Sequence, residues 1–220
     1  MKLHIVPTPI GNFEDLTFRA LRILKDVDLI FCEDTRTTKN LLKYYDINKK
    51  CFAYHINNEQ QQVKKYVQWI QNGQSAALVS DAGTPGISDP GYLFIRECIT
   101  AGIEIECLPG ATALIPALIS SGLPCDKFYF FGFLPHKKGK ETVLKMISSI
   151  KETVVFFESP HRLLKTLAMM QQIFNPETKI CVSREISKVF EEHFRGTISE
   201  SFSHFLNKEV KGEIVISVKN

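Results

Sequence analysis

The stretch AALVSDAGTPGISDPG, residues 76–91, decides the fold that we expect for this chain. It opens with a nearly continuous apolar run, which is typical of a strand covered on both faces of its sheet. Three glycines, two prolines and two aspartates follow, and the next residues, YLFIRECITAG, have helical spacing with Gly102 as the stop. The stretch therefore predicts a strand, a constrained loop and a helix. Such a loop either turns sharply or lets a small ligand lie against the backbone.

The same order of strand, loop and helix recurs on both sides of this stretch. Strands are predicted at residues 3–6, 28–32, 51–55, 76–80, 103–108, 128–133 and 153–158, with closing, antiparallel strands within 180–185, 189–197 and 213–218. Thr37 or Thr38 is expected to cap the helix after the second strand. Ser159 and Pro160 are expected to begin the helix after residue 158. This alternation predicts an α/β fold with a mostly parallel sheet and helices on its faces.

The short Gly/Pro stretch SSGLPCD, residues 120–126, interrupts the alternation. We take it as the boundary between an N-terminal α/β domain, residues 1–122, and a C-terminal α/β domain, residues 123–220. The 220 residues are 44% hydrophobic and 23% charged, which is a globular composition with enough length for two such domains. A net charge of +3 is too small by itself to argue for a nucleic-acid partner.

The cysteines, the histidines and the apolar runs argue against several classes of protein. Six cysteines include no Cys-x-x-Cys pair, and six histidines include no His-Glu-x-x-His pattern. We therefore expect no metal site and no disulfide framework. No apolar run approaches the roughly 20 residues that a membrane span needs, and the N-terminus has no cleavage signal. We expect a cytoplasmic protein that has no membrane contact.

Loops of unusual composition follow five of the predicted strands. They are VPTPIGN, CEDTRTT, VSDAGTPGISDPG, LPGATAL and FESPHR. Ligands of open α/β sheets bind beyond the carboxyl ends of the strands, and we expect the five loops to align on that edge. Neither a Rossmann nor a Walker phosphate loop can be read in the sequence. A glycine-lined pocket with the carboxylate of Asp81 at its mouth suits a flat, partly cationic molecule better than a polyphosphate.

A set of motifs distributed along the chain carries a resemblance to a known family. They are VPTPIGNFEDLTFRAL, EDTR, SDAGTPGISDPGY, LPGATAL, GFLPHKKG, FESPHRL, SREISK and KGEIVI. From residue 3 to about residue 218 the chain resembles the ribosomal RNA small subunit methyltransferase I family, in the tetrapyrrole methylase class of S-adenosylmethionine-dependent methyltransferases. The resemblance implies two α/β domains with S-adenosylmethionine in the cleft between them. It also implies 2′-O-methylation of a cytidine ribose in 16S rRNA of the small ribosomal subunit, by a homodimer.

The resemblance assigns cofactor contacts residue by residue. In the loop after the fourth strand, Gly83 and Gly86 would allow close backbone approach to the methionine end of the cofactor. The other positions that match are Pro9, Ile10, Val79, Ser80, Asp81, Thr84, Thr112, Ala113, Glu158 and Ile186. A carboxylate at residue 81 agrees with this assignment because S-adenosylmethionine carries an ammonium and a sulfonium. A plain turn at this loop, and ordinary packing at Pro9, Ile10, Thr112, Ala113, Glu158 and Ile186, are the alternative interpretations.

The sequence leaves the catalytic base unassigned. Glu33, Asp34 and Asp15 are the available carboxylates, and each is equally compatible with a helix cap or an arginine partner. The candidates for RNA phosphate contacts are Arg19, Arg36, Arg162, Arg184, Lys137 and Lys138. With Lys140, the last two would form a basic flap, and a solvated charged surface is the alternative for these lysines.

Two other functions remain open at this point. One is a methylase of the same fold that acts on a tetrapyrrole or another small substrate, against which EDTR and FESPHR argue as motifs of the RNA-directed branch. The other is a catalytically silent protein that binds RNA or the ribosome, against which the intact Asp81 loop argues. The sequence does not indicate the dimer surface, or whether free RNA or the assembled subunit is the substrate.

Overall fold

A computed structural model of the chain describes residues 1–136 and 138–220. The chain divides into two compact units, Met1–Thr112 and Ala113–Asn220. The sequence suggested a boundary ten residues later, and helix α5 (Leu114–Ser121) accounts for the difference because it packs on strands of the second unit.

Unit 1 is built on a five-stranded sheet whose neighbouring strands are all parallel. Its strands are β1 (Lys2–Ile5), β2 (Leu29–Cys32), β3 (Cys51–Ala53), β4 (Ala76–Val79) and β5 (Glu104–Cys107), in the order β3-β2-β4-β1-β5. The connecting helices are α1 (Phe18–Asp26), α2 (Thr35–Tyr44), α3 (Glu59–Gln71) and α4 (Tyr92–Thr100). Every residue of β2 and β4 is buried, as their apolar runs predicted.

Two apolar clusters cover the sheet of unit 1. One contains side chains of α3 and α4 and the other contains side chains of α1 and α2. Successive residues of β4 belong to different clusters, Leu78 to the first and Val79 to the second. The sheet is therefore packed on both faces, which leaves the carboxyl ends of its strands as the edge where polar loops gather.

Unit 2 contains a five-stranded sheet in which only one pair of strands is parallel. Its strands are β6 (Phe128–Phe133), β7 (Thr153–Glu158), β8 (Lys179–Arg184), β9 (Glu192–Thr197) and β10 (Ile214–Lys219), in the order β6-β7-β10-β8-β9. β6 and β7 are parallel, and the remaining pairs are antiparallel, as predicted for the closing strands. Besides α5, its helices are α6 (Lys140–Ser149), α7 (Leu163–Ile173) and α8 (Ile198–Leu206).

The structure corrects two expectations about the loops. Helix α2 begins at Thr35 rather than after Thr37 or Thr38, because the side chain of Asp34 caps it by accepting a hydrogen bond from the Arg36 amide at 2.8 Å. The five unusual loops do not share one edge. Four follow strands of the unit 1 sheet, whereas FESPHR follows β7 in unit 2.

Helix α7 begins close to the predicted place. Ser159 and Pro160 open a short 3₁₀ turn, Pro160–Arg162, and the α-helix proper starts at Leu163. Helix α5 follows LPGATAL, as the predicted alternation of strand, loop and helix implies, whereas sequence patterns did not predict α6 or α8. The last of these starts with a capping box, in which Thr197 and Glu200 bond each other's backbone amides.

Candidate active site

Two loops of unit 1 are joined by a small bridge at the carboxyl edge of the sheet. Thr8, after β1, and Gly83, after β4, exchange two backbone hydrogen bonds of 2.9 Å. The buried hydroxyl of Thr8 donates to the carbonyl of Ser80 at 3.0 Å, and the hydroxyl of Ser80 donates to the carbonyl of Gly83 at 3.1 Å. The Asp81 loop is therefore held by the first loop, and the side chain of Ser80 serves as one of its braces.

Two glycines are required for this close approach. Gly83 has a φ of +82°, and a Cβ there would point at Ile10 and the carbonyl of Ala111. At Gly110, a Cβ would lie 2.7 Å from Cβ of Pro7, too close for any other residue. The loop after β5 consequently packs its backbone against the ring of Pro7 in the loop after β1, and Thr84 adds a long hydrogen bond of 3.4 Å to the Ala111 carbonyl.

The carboxylates on this edge form a cluster around Asp81. The Oδ1 of Asp81 accepts a hydrogen bond from the backbone amide of Asp34 at 3.0 Å. Burial raises the pKa of Asp81 above its ordinary value, and this effect exceeds that of the Asp34 hydrogen bond, which lowers it. Burial and then the charge of Asp81 likewise raise the pKa of Glu33. A cation placed among these groups would therefore relieve unfavourable negative charge.

Asp34 differs from its two neighbours because it already has a cationic partner. Its carboxylate takes two hydrogen bonds from the Arg36 guanidinium, the shorter at 2.7 Å. The side-chain and backbone hydrogen bonds of Arg36 lower the pKa of Asp34 to about 2. Asp34 is thus a helix cap and an arginine partner, the alternative that the sequence left open. The Arg36 side chain is 88% exposed, so its outer face is available.

A cavity of about 180 Å³ opens beside Asp81. It lies between the two bridged loops and the first turns of α2. Its lining residues are Thr8, Pro9, Phe13, Thr37, Thr38, Asn40, Leu41, Ser80 and Asp81. Three of the predicted cofactor residues, Pro9, Ser80 and Asp81, share this wall.

The remaining cofactor candidates of unit 1 lie around the bridged loops. Val79 is a core residue at the end of β4, and Ile10 is buried against Gly83. Thr112 is half-buried at the end of the unit, beyond the loop that follows β5. The next residue, Ala113, is also half-buried and begins unit 2 immediately before α5.

In unit 2, Glu158 at the end of β7 is buried and fully engaged. Its Oε2 lies 2.6 Å from the ammonium of Lys140 and accepts a short hydrogen bond from the hydroxyl of Thr166. Its Oε1 accepts the Ser159 amide at 2.8 Å and lies 2.9 Å from Nε of Arg162. Burial alone would raise the pKa of Glu158, but the hydrogen bonds, led by that of Lys140, outweigh it and the pKa is lowered.

This network corrects the role expected for Lys140. Its side chain is 8% exposed and paired with Glu158, so it is not part of a basic flap. Arg162 also contacts the ring of His136, with Nη1 and Nδ1 3.0 Å apart. Lys138 is exposed, as a flap residue should be, whereas Lys137 lies outside the described residues.

Ile186 lies in a constrained turn after β8. Glu185 and Ser187 on either side have φ values of +51° and +68°, while Ile186 is buried. The carboxylate of Glu185 accepts the Glu213 amide at 3.1 Å and the ammonium of Lys188 at 2.8 Å. The motifs SREISK and KGEIVI therefore hold each other in place.

The other arginine candidates are paired. Arg19 on α1 forms an ion pair with Glu106 on β5. Arg184 lies 2.6 Å from Glu192, which also accepts from Lys208. Asp15 is exposed at the end of a short 3₁₀ turn, Phe13–Asp15. Among the five RNA candidates that the structure describes, Arg19, Arg36 and Lys138 are exposed, whereas Arg162 and Arg184 are half-buried.

All six cysteines are free. Within residues 1–136 and 138–220, no group of three His, Cys, Asp or Glu side chains could hold a metal ion. In the same ranges, every helix is too short or too polar to traverse a lipid bilayer.

Comparison with known proteins decides the family. Residues 2–201 match the family model for tetrapyrrole (corrin/porphyrin) methylases. A Thermotoga maritima protein named ribosomal RNA small subunit methyltransferase I is 45% identical over 215 residues, covering 98% of this chain and 96% of its own length. The chain belongs to the ribosomal RNA small subunit methyltransferase I family. A Bacillus subtilis relative of the same name is 44% identical, covering 99% of this chain and 74% of its own length.

Membership in this family makes the chain an S-adenosylmethionine-dependent methyltransferase, as the sequence predicted. The fold agrees with a solved diphthine synthase, which is 12% identical and has a TM-score of 0.79 over 100% of this chain and 90% of that one. The donor set also fits the cofactor, because a half-buried carboxylate of raised pKa, Asp81, lines the cavity and lies in the loop that contains Gly83 and Gly86.

Sequence reasoning missed several residues that hold the site. Thr8 and Gly110 stand in the quoted motifs and Lys140 directly follows one of them, but no local pattern separates a residue that braces the site from one that contacts a ligand. Phe13, which lines the cavity, was read only as part of a motif. The available signal was an aromatic residue directly after the Pro/Gly-containing loop VPTPIGN.

Proposed function

We propose that this chain methylates the 2′-oxygen of a cytidine ribose in 16S rRNA of the small ribosomal subunit, as a cytoplasmic homodimer. The observation that carries the proposal is the 45% identity to a relative of that name over nearly the full length of both chains. The small net charge and the paired arginines fit a substrate held by a few well-placed contacts rather than by a broad basic surface.

The cofactor residues carried over from the family stay a proposal for this chain. When bound, S-adenosylmethionine supplies a methyl group activated by its sulfonium. The carboxylate of Asp81 would hold the positive end of the cofactor, and Gly83 and Gly86 would let the backbone lie against it. Ser80 and Val79 would stabilise that loop. The hydroxyl of Ser80 donates to the carbonyl of Gly83, and Val79 packs in the core. A contact of Glu158 with adenosine would use its backbone, because both carboxylate oxygens are engaged.

Among the three candidate carboxylates, Glu33 has the environment that a general base requires. Burial and the neighbouring Asp81 raise its pKa toward the operating pH. Asp34 is committed to Arg36 and to the cap of α2, and Asp15 is exposed. In the proposed reaction the ribose oxygen forms a bond to the methyl carbon while the carbon–sulfur bond breaks toward sulfur. Glu33 would accept the hydroxyl proton.

Ribose-methylation mapping of 16S rRNA tests the proposal. A strain that lacks this gene should lose one 2′-O-methylcytidine, and expression of the unmodified chain should restore it. The variant Glu33→Gln tests the proposed base. It should fold and bind S-adenosylmethionine but restore the mark poorly. An unchanged map in the deletion strain would contradict the RNA assignment, and would favour a small substrate or a silent binding protein.

A further inference from the structure

The cavity beside Asp81 has the wrong size for the whole cofactor. Pockets that enclose a complete drug-sized ligand measure about 300 to 1,000 Å³. This one measures about 180 Å³, which suits a single flat heterocycle. Its lining residues all belong to unit 1, whereas Glu158 and Ile186, which the family assigns to the adenosine, belong to unit 2. Thr112, which the family assigns to a cofactor contact after the fifth strand, is not among the lining residues either. The cavity is therefore available to another ring.

One wall of the cavity is an aromatic ring held in a fixed position. Phe13 packs against the edge of Tyr44, with ring centroids 4.8 Å apart. Tyr44 in turn packs on Tyr45, whose hydroxyl donates a short hydrogen bond to the carbonyl of Phe13. Phe13 remains 38% exposed. Aromatic side chains with an open face are the usual platforms for unstacked RNA bases.

The opposite wall, on α2, offers polar groups of the kind that read a base. The amide of Asn40 and the hydroxyl of Thr37 belong to exposed residues that line the cavity. An amide presents a donor and an acceptor side by side, which can pair with the Watson–Crick edge of a pyrimidine. The buried residues Thr38 and Leu41 complete the lining.

We propose that this cavity receives the base of the nucleotide to be methylated, with Phe13 stacking on the ring and Asn40 reading its edge. The inference rests on the proposed function and adds a substrate site to it. Pro9 and Asp81 line the cavity and are also among the proposed cofactor contacts, so a base bound here keeps its ribose beside the methyl donor. Arg36, exposed at the start of α2, is positioned on the same helix to contact a flanking phosphate.

Methylation kinetics on purified small subunits test whether Phe13 stacks on the base. Stacking contributes about 1–3 kcal/mol per base, so Phe13→Ala should raise KM for the subunit about 5- to 150-fold. Phe13→Tyr should retain most of the affinity. Calorimetry should give an unchanged Kd for S-adenosylmethionine with both variants. The control is Phe18→Ala, since Phe18 is 93% exposed on α1 and does not line the cavity.

Replacing the target cytidine with uridine tests whether Asn40 recognises the base. The unmodified chain should methylate subunits with uridine at the target position more slowly than subunits with cytidine. Asn40→Ala should reduce this preference for cytidine at least fivefold. The control is Asn72→Ala, an exposed asparagine at the end of α3. Two results would overturn the inference: a KM for Phe13→Ala equal to that of the unmodified chain, or a weakened Kd for S-adenosylmethionine, which would assign the cavity to the cofactor. If the unmodified chain methylated no RNA, the proposed function itself would fail.

Discussion

The carboxylate of Asp81 accepts a hydrogen bond from the backbone amide of Asp34 at 3.0 Å, which joins the loop after β4 to the start of α2. This hydrogen bond holds Oδ1 of Asp81 in place, and the side chain of Asp34 caps helix α2. The hydrogen bond fixes the position of the carboxylate, while burial keeps its pKa raised. Asp81 is consequently prepared for a cationic ligand.

Binding of S-adenosylmethionine should depend on pH through Asp81. The pKa of this carboxyl is raised in the free protein, and only the ionised form attracts the cofactor's positive charge. Affinity should therefore be full at neutral pH and fall as the pH decreases through that raised pKa. Calorimetry across about pH 4 to 8 should give a weaker affinity for Asp81→Asn that does not change with pH.

The matched control for this titration is Asp26→Asn, at the exposed end of α1. It should leave both the affinity and its pH dependence unchanged. An Asp81→Asn protein with the pH profile of the unmodified chain would exclude Asp81 as the titrating group.

Removal of the Thr8 hydroxyl should weaken the bridged loops. In Thr8→Val the carbonyl of Ser80 loses its buried donor, which should lower the free energy of unfolding by about 1–3 kcal/mol. Denaturant titration measures the change. Thr100→Val, whose hydroxyl bonds to the Arg96 carbonyl on the exposed surface of α4, should have an effect below about 0.5 kcal/mol. Equal losses for the two variants would contradict the bridging role.

The ion pair between Lys140 and Glu158 should be a major stabilising contact of unit 2. Lys140→Met leaves a buried carboxylate without its ammonium and should cost about 3–5 kcal/mol. On the same helix, Lys145→Met removes only an exposed pair with Glu141 and should cost about 0.5 kcal/mol or less. Thermal unfolding of the two variants makes the comparison. A small change in stability for Lys140→Met would contradict the buried ion pair and would favour an exposed Lys140 in the basic flap.

Arg36 should contribute one phosphate contact. Arg36→Ala should weaken binding of the small subunit and reduce by about one the slope of log affinity against log salt concentration. Arg96→Ala, on α4 and paired with Glu97, should leave the slope unchanged. A slope that does not change with Arg36→Ala would place the RNA backbone elsewhere.

The sequence predicted the parallel sheet of unit 1 well, because β2 and β4 are short, fully buried apolar runs and strong turn residues follow β1, β4 and β5. It failed where local and tertiary signals compete. Asp34 and Thr37 are both good helix caps, and only the fold shows that Asp34 bonds the Arg36 amide. Lys140 resembles its basic neighbours in sequence, yet its ammonium lies beside a buried carboxylate 18 residues away along the chain.

At the site, too, local sequence patterns did not reveal the tertiary contacts. The motifs located Asp81, Gly83 and Ser80 together, but their different tasks depend on contacts between distant loops. Phe13 and Asn40 have no pattern in common, since one lies after β1 and the other on α2. Their convergence on one cavity follows from the sheet order, which places β1 and β2 on either side of β4.

The most direct test of the account is methyl transfer by the purified chain. Small subunits from the deletion strain would be incubated with S-adenosylmethionine carrying a labelled methyl group, and the digested RNA analysed for modified nucleosides. The account predicts label in a single 2′-O-methylcytidine with the unmodified chain, and a large loss of label with Asp81→Asn. Label on a base rather than a ribose, or full transfer by Asp81→Asn, would contradict it.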